Sequence, residues 1–200
     1  MYVKYLECIS CGKEYPATPE QFLCPQCGTE GILDVIYDYQ KIKKIFNKKK
    51  LAEESLPSIW RYSPLLPIEQ NCRRPSLRIG GTPLYHSKNL ASALGIDKLY
   101  LKDDGLNPTG SLKDRASSIA VVKAMEAEAR IVACSSTGNA ASSLAGNVAS
   151  LEDYNLSACI FVPERAPAGK VAQLLIYGAT VISVQGSYED AFNLSAAAID

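Results

Sequence analysis

The chain has 200 residues, 47% hydrophobic and 21% charged, a composition that suits one large or two small globular domains with a real core. Lys plus Arg and Asp plus Glu both number 21, so the formal net charge is zero and nothing points to a polyanionic partner; no nucleic-acid function is implied. No run reaches the roughly 18 apolar residues of a membrane span, and Met1–Cys8 has no apolar signal core, so a cytoplasmic protein without a membrane partner is expected.

Seven cysteines are an odd count, and four fall in two pairs, Cys8-Ile9-Ser10-Cys11 and Cys24-Pro25-Gln26-Cys27. In a reducing compartment this favours metal ligation over a disulfide framework. Each pair can form a knuckle presenting two thiolates, and two knuckles close a tetrahedral site for a structural Zn2+. Gly12 and Gly28 follow the second cysteines and allow the positive φ such turns need. An unmetallated ribbon or a redox pair is the alternative. Residues 1–37 therefore read as a zinc-ribbon-like segment, too small to fold without its ion. Cys134 and Cys159 lie in apolar strand-like runs and read as inert core thiols.

Ile32–Tyr37 predicts a strand, followed by a polar helix from about Asp38 to Asn47. Lys41, Lys43, Lys44 and Lys48 to Lys50 read as its solvated face. Pro57, Pro64, Pro67 and Pro75 then punctuate a stretch without long helices, which Trp60, Tyr62 and Leu65-Leu66 can anchor to a core. Residues 38–79 are thus a helix and a Pro-rich connection.

From residue 80 to 200 strands and helices alternate. A turn and short strand cover Gly80–Tyr85, and a helix covers Asn89–Leu94, with Gly95 to end it. Strands follow at Lys98–Leu101, Ile131–Cys134, Ala158–Val162 and Thr180–Val184. Helices follow at Ser111–Ala129, Asn139–Ala149, Pro167–Tyr177 and Tyr188–Ile199. This order predicts an α/β fold, and the continuous apolar strands predict a parallel sheet buried on both faces. Ligands of such sheets collect at the carboxyl ends of strands.

Asn107-Pro108-Thr109-Gly110-Ser111-Leu112-Lys113-Asp114-Arg115 is placed there. Pro108 and Gly110 force a tight loop, and Ser111 with Asp114 fits a capping box, which puts Lys113 in the first helical turn. Unsatisfied N–H groups and the positive dipole end disfavour an ammonium there, making Lys113 a candidate Schiff-base nucleophile. A lone lysine at a helix start is, by itself, most often a solvated one. Ser135-Ser136-Thr137-Gly138-Asn139-Ala140 leaves another strand for a helix of small residues, so helix-start amides are available to an anion such as a substrate carboxylate; an ordinary strand-to-helix turn is the alternative. The two loops are expected on adjacent strands, facing one crevice. Lys102 and Arg115, beside the first loop, read as structural charges that pair locally.

The Asn-Pro-Thr-Gly-Ser-x-Lys-Asp-Arg string resembles the pyridoxal-phosphate lysine motif of the fold-type II enzymes, which include threonine synthase, threonine dehydratase and cysteine synthase. The cysteine ribbon with Leu33-Asp34-Val35-Ile36-Tyr37-Asp38, Trp60-Arg61-Tyr62, Leu66-Pro67, Gly81-Thr82-Pro83-Leu84 and Ser136 to Asn139 narrow the resemblance to threonine synthases, over nearly the whole chain. The resemblance implies the tryptophan synthase beta-like architecture and pyridoxal 5′-phosphate held by Lys113, which also moves protons. It implies that Asn139 bonds the cofactor's 3′-oxygen and that Ser136, Thr137 and Gly138 cradle the substrate carboxylate. The implied reaction converts O-phosphohomoserine and water to threonine and phosphate, and a homodimer is left open. Another fold-type II lyase, of the dehydratase or cysteine synthase kind, or a non-catalytic truncated paralogue are the alternatives.

Two departures stand out. Where threonine synthases commonly carry Gly-Glu-Gly before the Thr-Pro, this chain has Ile79-Gly80-Gly81. None of its 13 glycines forms the Gly-x-Gly of a phosphate cup. The cup and the residue facing the pyridine nitrogen are expected beyond residue 200, so the expectation is an N-terminal part that binds the cofactor weakly or not at all and does not turn over alone.

Overall fold

The computed structural model describes residues 1–19 and 21–198. Its first part is a four-stranded antiparallel sheet in the order β2-β1-β4-β3, with β1 Val3–Cys8, β2 Glu14–Tyr15, β3 Leu23–Cys24 and β4 Gly28–Tyr37. The two Cys-x-x-Cys turns are the tips of this sheet. Gly12 and Gly28 take φ of +70° and +59°, as the turn chemistry requires. Gly31 is constrained differently, because a Cβ there would lie 2.5 Å from the Cβ of Cys24 and 2.7 Å from that of Cys27.

Asp38 caps α1, Tyr39–Ile45, by accepting from the Lys41 N–H. The single helix expected to Asn47 is instead two. Phe46 is extended, and the Asn47 side chain accepts from the Lys50 N–H, starting α2, Lys48–Glu53. All six lysines of this stretch are exposed. In the Pro-rich connection a 3-10 segment, Ile59–Leu65, buries Ile59 and Trp60 while Tyr62 and Leu65 stay exposed, so Trp60 anchors and Tyr62 does not.

A two-stranded antiparallel sheet pairs β5, Leu84–His86, with β6, Tyr100–Lys102, with α3, Lys88–Ala93, between them. α4, Lys113–Glu126, leads to a three-stranded parallel sheet in the order β7-β8-β9, formed by Ile131–Ser135, Ser157–Pro163 and Thr180–Val184. α5, Asn139–Ala149, and α6, Ala168–Ile176, are its crossovers, and α7, Tyr188–Ala197, follows β9. Ile199, expected in this last helix, lies outside the described residues. β6 therefore belongs to a different sheet from β7, and the two motif loops do not follow adjacent strands. Three-residue strands such as β5 and β6 satisfy their backbone by pairing with each other.

Alternation in β8 sorts the layers. Ala158, Ile160 and Val162 enter the main core with Ala141, Leu144 and Ala145 of α5 and Leu174 of α6. Phe161 is also buried but points to the opposite face, and α7 packs on the sheet there with Ala191 fully buried. β8 is thus covered on both faces as expected. β7 is not, since it is an edge strand and Ile131 is 63% exposed. Ile59, Trp60, Ile68 and Ile79 of the connection enter the same core, beside Val121, Val122 and Met125 of α4. Ile79, at 0% exposure, is a core side chain. The apolar residue at this position supports packing, and a carboxylate in its place would need a buried partner.

Candidate functional site

Lys113 is the first residue of α4 and its side chain is exposed, while the loop that delivers it is tied down on three sides. Asn107, nearly buried, accepts from the Gly80 N–H at 2.9 Å and donates to the Asp104 carbonyl. Asp104 receives Arg115 Nε and Nη2, both at 2.8 Å, and the Thr82 hydroxyl at 2.7 Å. The bidentate Arg115 guanidinium, helped by Thr82, holds the Asp104 carboxyl well below the usual carboxylate range. Lys102 Nζ donates to the Thr82 carbonyl. Arg115 and Lys102 are therefore spent on local structure, as the sequence suggested.

The third tie replaces the expected capping box. Ser111 does accept from the Lys113 N–H, at 3.2 Å, but Asp114 does not reach back to Ser111. Asp114 is fully buried and accepts from the Thr109 N–H at 2.8 Å, the Thr109 hydroxyl, and the Ser143 hydroxyl of α5 at 2.7 Å. A buried carboxylate takes these three donors in preference to a solvated cap, because each is otherwise unpaired. The contact fixes the first turn of α4 against α5. Gly146 on α5 makes room for it, since a Cβ there would lie 2.6 Å from Thr109 Cγ2. Lys113 and Asn139 are thereby brought to neighbouring helix starts, despite the separate sheets of β6 and β7.

Gly138 is the N-cap of α5, with its own N–H held by Ser136 Oγ at 3.1 Å. The N–H groups of Asn139, Ala140 and Ala141 have no helical acceptor. Ser135 Oγ is buried with no partner among the described residues, while the Ser135 carbonyl accepts from the Tyr188 hydroxyl. Asn139 is exposed, and its Oδ1 accepts from Lys170 Nζ of α6 at 3.2 Å. The exposed amine, the open amides and the orphaned hydroxyl suit a ligand bearing a carbonyl and anionic oxygens. Sequence reasoning passed over Lys170, which sits inside an ordinary helix pattern, and Tyr15 and Gly31 of the ribbon.

The four cysteines of the paired motifs converge, with Sγ atoms of Cys8, Cys11, Cys24 and Cys27 all within 4.8 Å of one another. The Cys11 and Cys24 sulfurs are 3.8 Å apart, and Tyr15 Oη lies 3.0 Å from Cys24 Sγ. Burial opposes ionisation of Cys24, but hydrogen bonds from Tyr15 and from backbone N–H groups of the knuckle outweigh it and bring that thiol down. Its Cys11 contact and burial push Cys27 the other way. A cation bound by this cluster would displace the thiol protons. Burial raises the Cys134 and Cys159 thiols, in keeping with inert sulfurs. Among the described residues no helix is long and apolar enough to cross a membrane.

A family model described as "Pyridoxal-phosphate dependent enzyme" matches residues 75–200. Among curated proteins, the threonine synthase of Methanosarcina acetivorans is 45% identical over 196 residues, covering 95% of this chain and 45% of that protein. The threonine synthase of Methanocaldococcus jannaschii is 41% identical over 188 residues, 94% of this chain and 45% of that protein. The chain thus spans less than half the length of these relatives. Among solved structures, the serine racemase of Dictyostelium discoideum superposes with a TM-score of 0.52 at 28% identity, over 59% of this chain and 38% of that one.

Proposed function

The chain belongs to the pyridoxal-phosphate dependent enzyme family, and on that footing we propose that it carries the lysine-bearing part of a threonine synthase. The observation that supports this most is the Asp114–Ser143 contact, which ties the first turn of α4, where Lys113 lies, to α5, whose first turn carries the open amides. The residues present fit the cofactor, with one exposed amine to carry it, a side-chain amide to orient it and unpaired donors for anionic groups. Lys113 is the attachment point, and its freed amine moves protons at the substrate carbons. Asn139 orients the ring through its side-chain amide. Ser136, Thr137 and Gly138, with the α5 amides, hold the substrate carboxylate against the positive helix end. When bound, pyridoxal phosphate supplies the electron sink for substrate carbanions. The proposed substrate is O-phosphohomoserine, and the products are threonine and phosphate.

The four-cysteine cluster is proposed as a structural zinc site in a ribbon spanning residues 1–37, followed by the connection of 38–79 and the cofactor-binding unit of 80–200. Zinc–sulfur bonds of about 2.3 Å in a tetrahedron set sulfurs roughly 3.8 Å apart. The observed cluster is at that scale.

The test is to add pyridoxal phosphate to the chain and to Lys113→Ala, reduce with borohydride and map the labelled peptide. Label on Lys113, absent from the variant, is expected; none, or label scattered over surface lysines, would mean this chain alone lacks a working cofactor site. Release of phosphate and threonine from O-phosphohomoserine by the full polypeptide supports the reaction. Formation of 2-oxobutyrate from threonine would instead identify a dehydratase.

A further inference from the structure

Lys170 lies in the first turn of α6, half-buried, and forms no ion pair among the described residues. Its side-chain partner is Asn139 Oδ1. One turn further along the same seam, the Ser142 hydroxyl of α5 donates to Gln173 Oε1 of α6 at 3.0 Å. Both contacts join residues three apart on α5 to residues three apart on α6, so two rungs fix how the helices face each other. Lys170 is held in place by packed helices.

An ammonium has three donors and no acceptor, so it can pair only with the oxygen of a neighbouring amide. The Asn139 amide turns as a unit. With Oδ1 held by Lys170, Nδ2 points away from α6, and the reversed amide would set an NH2 group against a full positive charge. Nδ2 has no partner among the described residues. An ammonium near the positive end of α5 is also unfavourable unless an anionic group shares the space.

We propose that Lys170 is a positioning residue: it fixes the Asn139 amide so that Nδ2 is presented as a donor to an acceptor oxygen of the group bound at the start of α5. This rests on the pyridoxal-phosphate reading of that site and adds the element that sets the amide's orientation. It also makes the site selective for an oxygen that accepts, against a hydroxyl held as a donor.

The experiment titrates the chain with pyridoxal phosphate, following visible absorbance and the borohydride-trapped label on Lys113. Losing one oriented hydrogen bond predicts about a tenfold weaker affinity for Lys170→Met, with a shifted absorbance maximum. Lys170→Arg, which keeps a donor-only group, restores both. In an Asn139→Ala background Lys170→Met costs nothing further, because the two act through one contact. Unchanged affinity and spectrum in Lys170→Met, with Lys113 still labelled, would overturn the proposal, as would an undiminished loss in the Asn139→Ala background. A lowered urea midpoint in Lys170→Met without spectral rescue by Lys170→Arg would mark Lys170 as merely structural and overturn it too. Absence of label on the parent chain would instead overturn the cofactor reading on which it rests.

Discussion

Asp114→Ala removes the acceptor for three buried donors, the Thr109 N–H, the Thr109 hydroxyl and the Ser143 hydroxyl. At 0% exposure no water replaces it. Hydrogen bonds to charged groups contribute about 1.5–3 kcal/mol each, but they share one site and are not additive. Breaking a buried charged network by removing one member costs about 3–5 kcal/mol, and that is the loss expected in the unfolding free energy. Asp114→Asn is the sharper variant. Its single oxygen can keep Thr109 Oγ1 and Ser143 Oγ, both of which bond Oδ1, while its NH2 meets the Thr109 N–H donor to donor. The loss of that one bond and the repulsion between the two facing donors predict about 1–3 kcal/mol, below the alanine variant. Urea unfolding followed by circular dichroism measures both. Because Asp114 follows Lys113 directly, borohydride labelling of Lys113 falls in the same order, alanine below asparagine below parent. If Asp114→Ala unfolds within about 0.5 kcal/mol of the parent, the range of a surface substitution, the network does not hold the loop.

On the proposed zinc site, a chelator is expected to unfold residues 1–37 of the zinc-loaded chain, and serine at any of Cys8, Cys11, Cys24 or Cys27 to lower metal content below one ion per chain; full retention in Cys24→Ser would refute the site. Tyr15→Phe takes away the hydroxyl 3.0 Å from Cys24 Sγ and is expected to weaken metal affinity about tenfold while leaving the stoichiometry unchanged, read by competition with a chromogenic chelator. Gly81→Ala places a Cβ 2.2 Å from the Pro57 carbonyl oxygen at a φ of +63°, and a loss of more than about 2 kcal/mol is expected in urea unfolding. The depressed Asp104 carboxyl contributes stability that is fully present above its unfolded value near pH 4 and is lost as pH falls toward its lower folded value; Asp104→Asn should flatten the acid limb of the stability profile.

Helices with strong periodicity and strands with continuous apolar runs were legible in the sequence. α5 and β9 begin and end where the pattern places them, because Gly138 and the flanking turns are local signals. What failed to show were features decided by competition for a distant partner. Ser111 and Asp114 have the spacing of a capping box, yet Asp114 is claimed by Ser143, 29 residues on, and no local pattern reports that competition. Tyr100–Lys102 has too few residues to tell an edge of the parallel sheet from half of a hairpin-like pair, and the three-residue β5 settles it. Asn47 interrupts the polar helix through its own side chain, a signal that was present but masked by the surrounding lysines. At the candidate site, Lys113 and Asn139 were singled out because Pro108 and Gly110 punctuate one loop and Gly138 the other. Lys170 was not, because a lysine in a helical pattern carries no mark of what it faces.

The ties around Asn107 to Arg115 share a consequence for chemistry. Asn107 spends both ends of its amide on Gly80 and Asp104, Arg115 is committed to Asp104, and Asp114 has its oxygens filled by Thr109 and Ser143. The side chains of Asn107, Asp114 and Arg115 are thus already occupied, and the ties reach three separate parts of the fold: the Gly80 turn, the 3-10 turn Asp104–Leu106 after β6, and α5. The exposed amine of Lys113, by contrast, has no partner among the described residues. A rigid loop with one unspent functional group presents that group at low entropic cost, since little motion is left to lose when a ligand attaches. Loosening any single tie should therefore weaken attachment at Lys113 before it unfolds the chain. That order separates a preorganised lysine from one that is merely exposed.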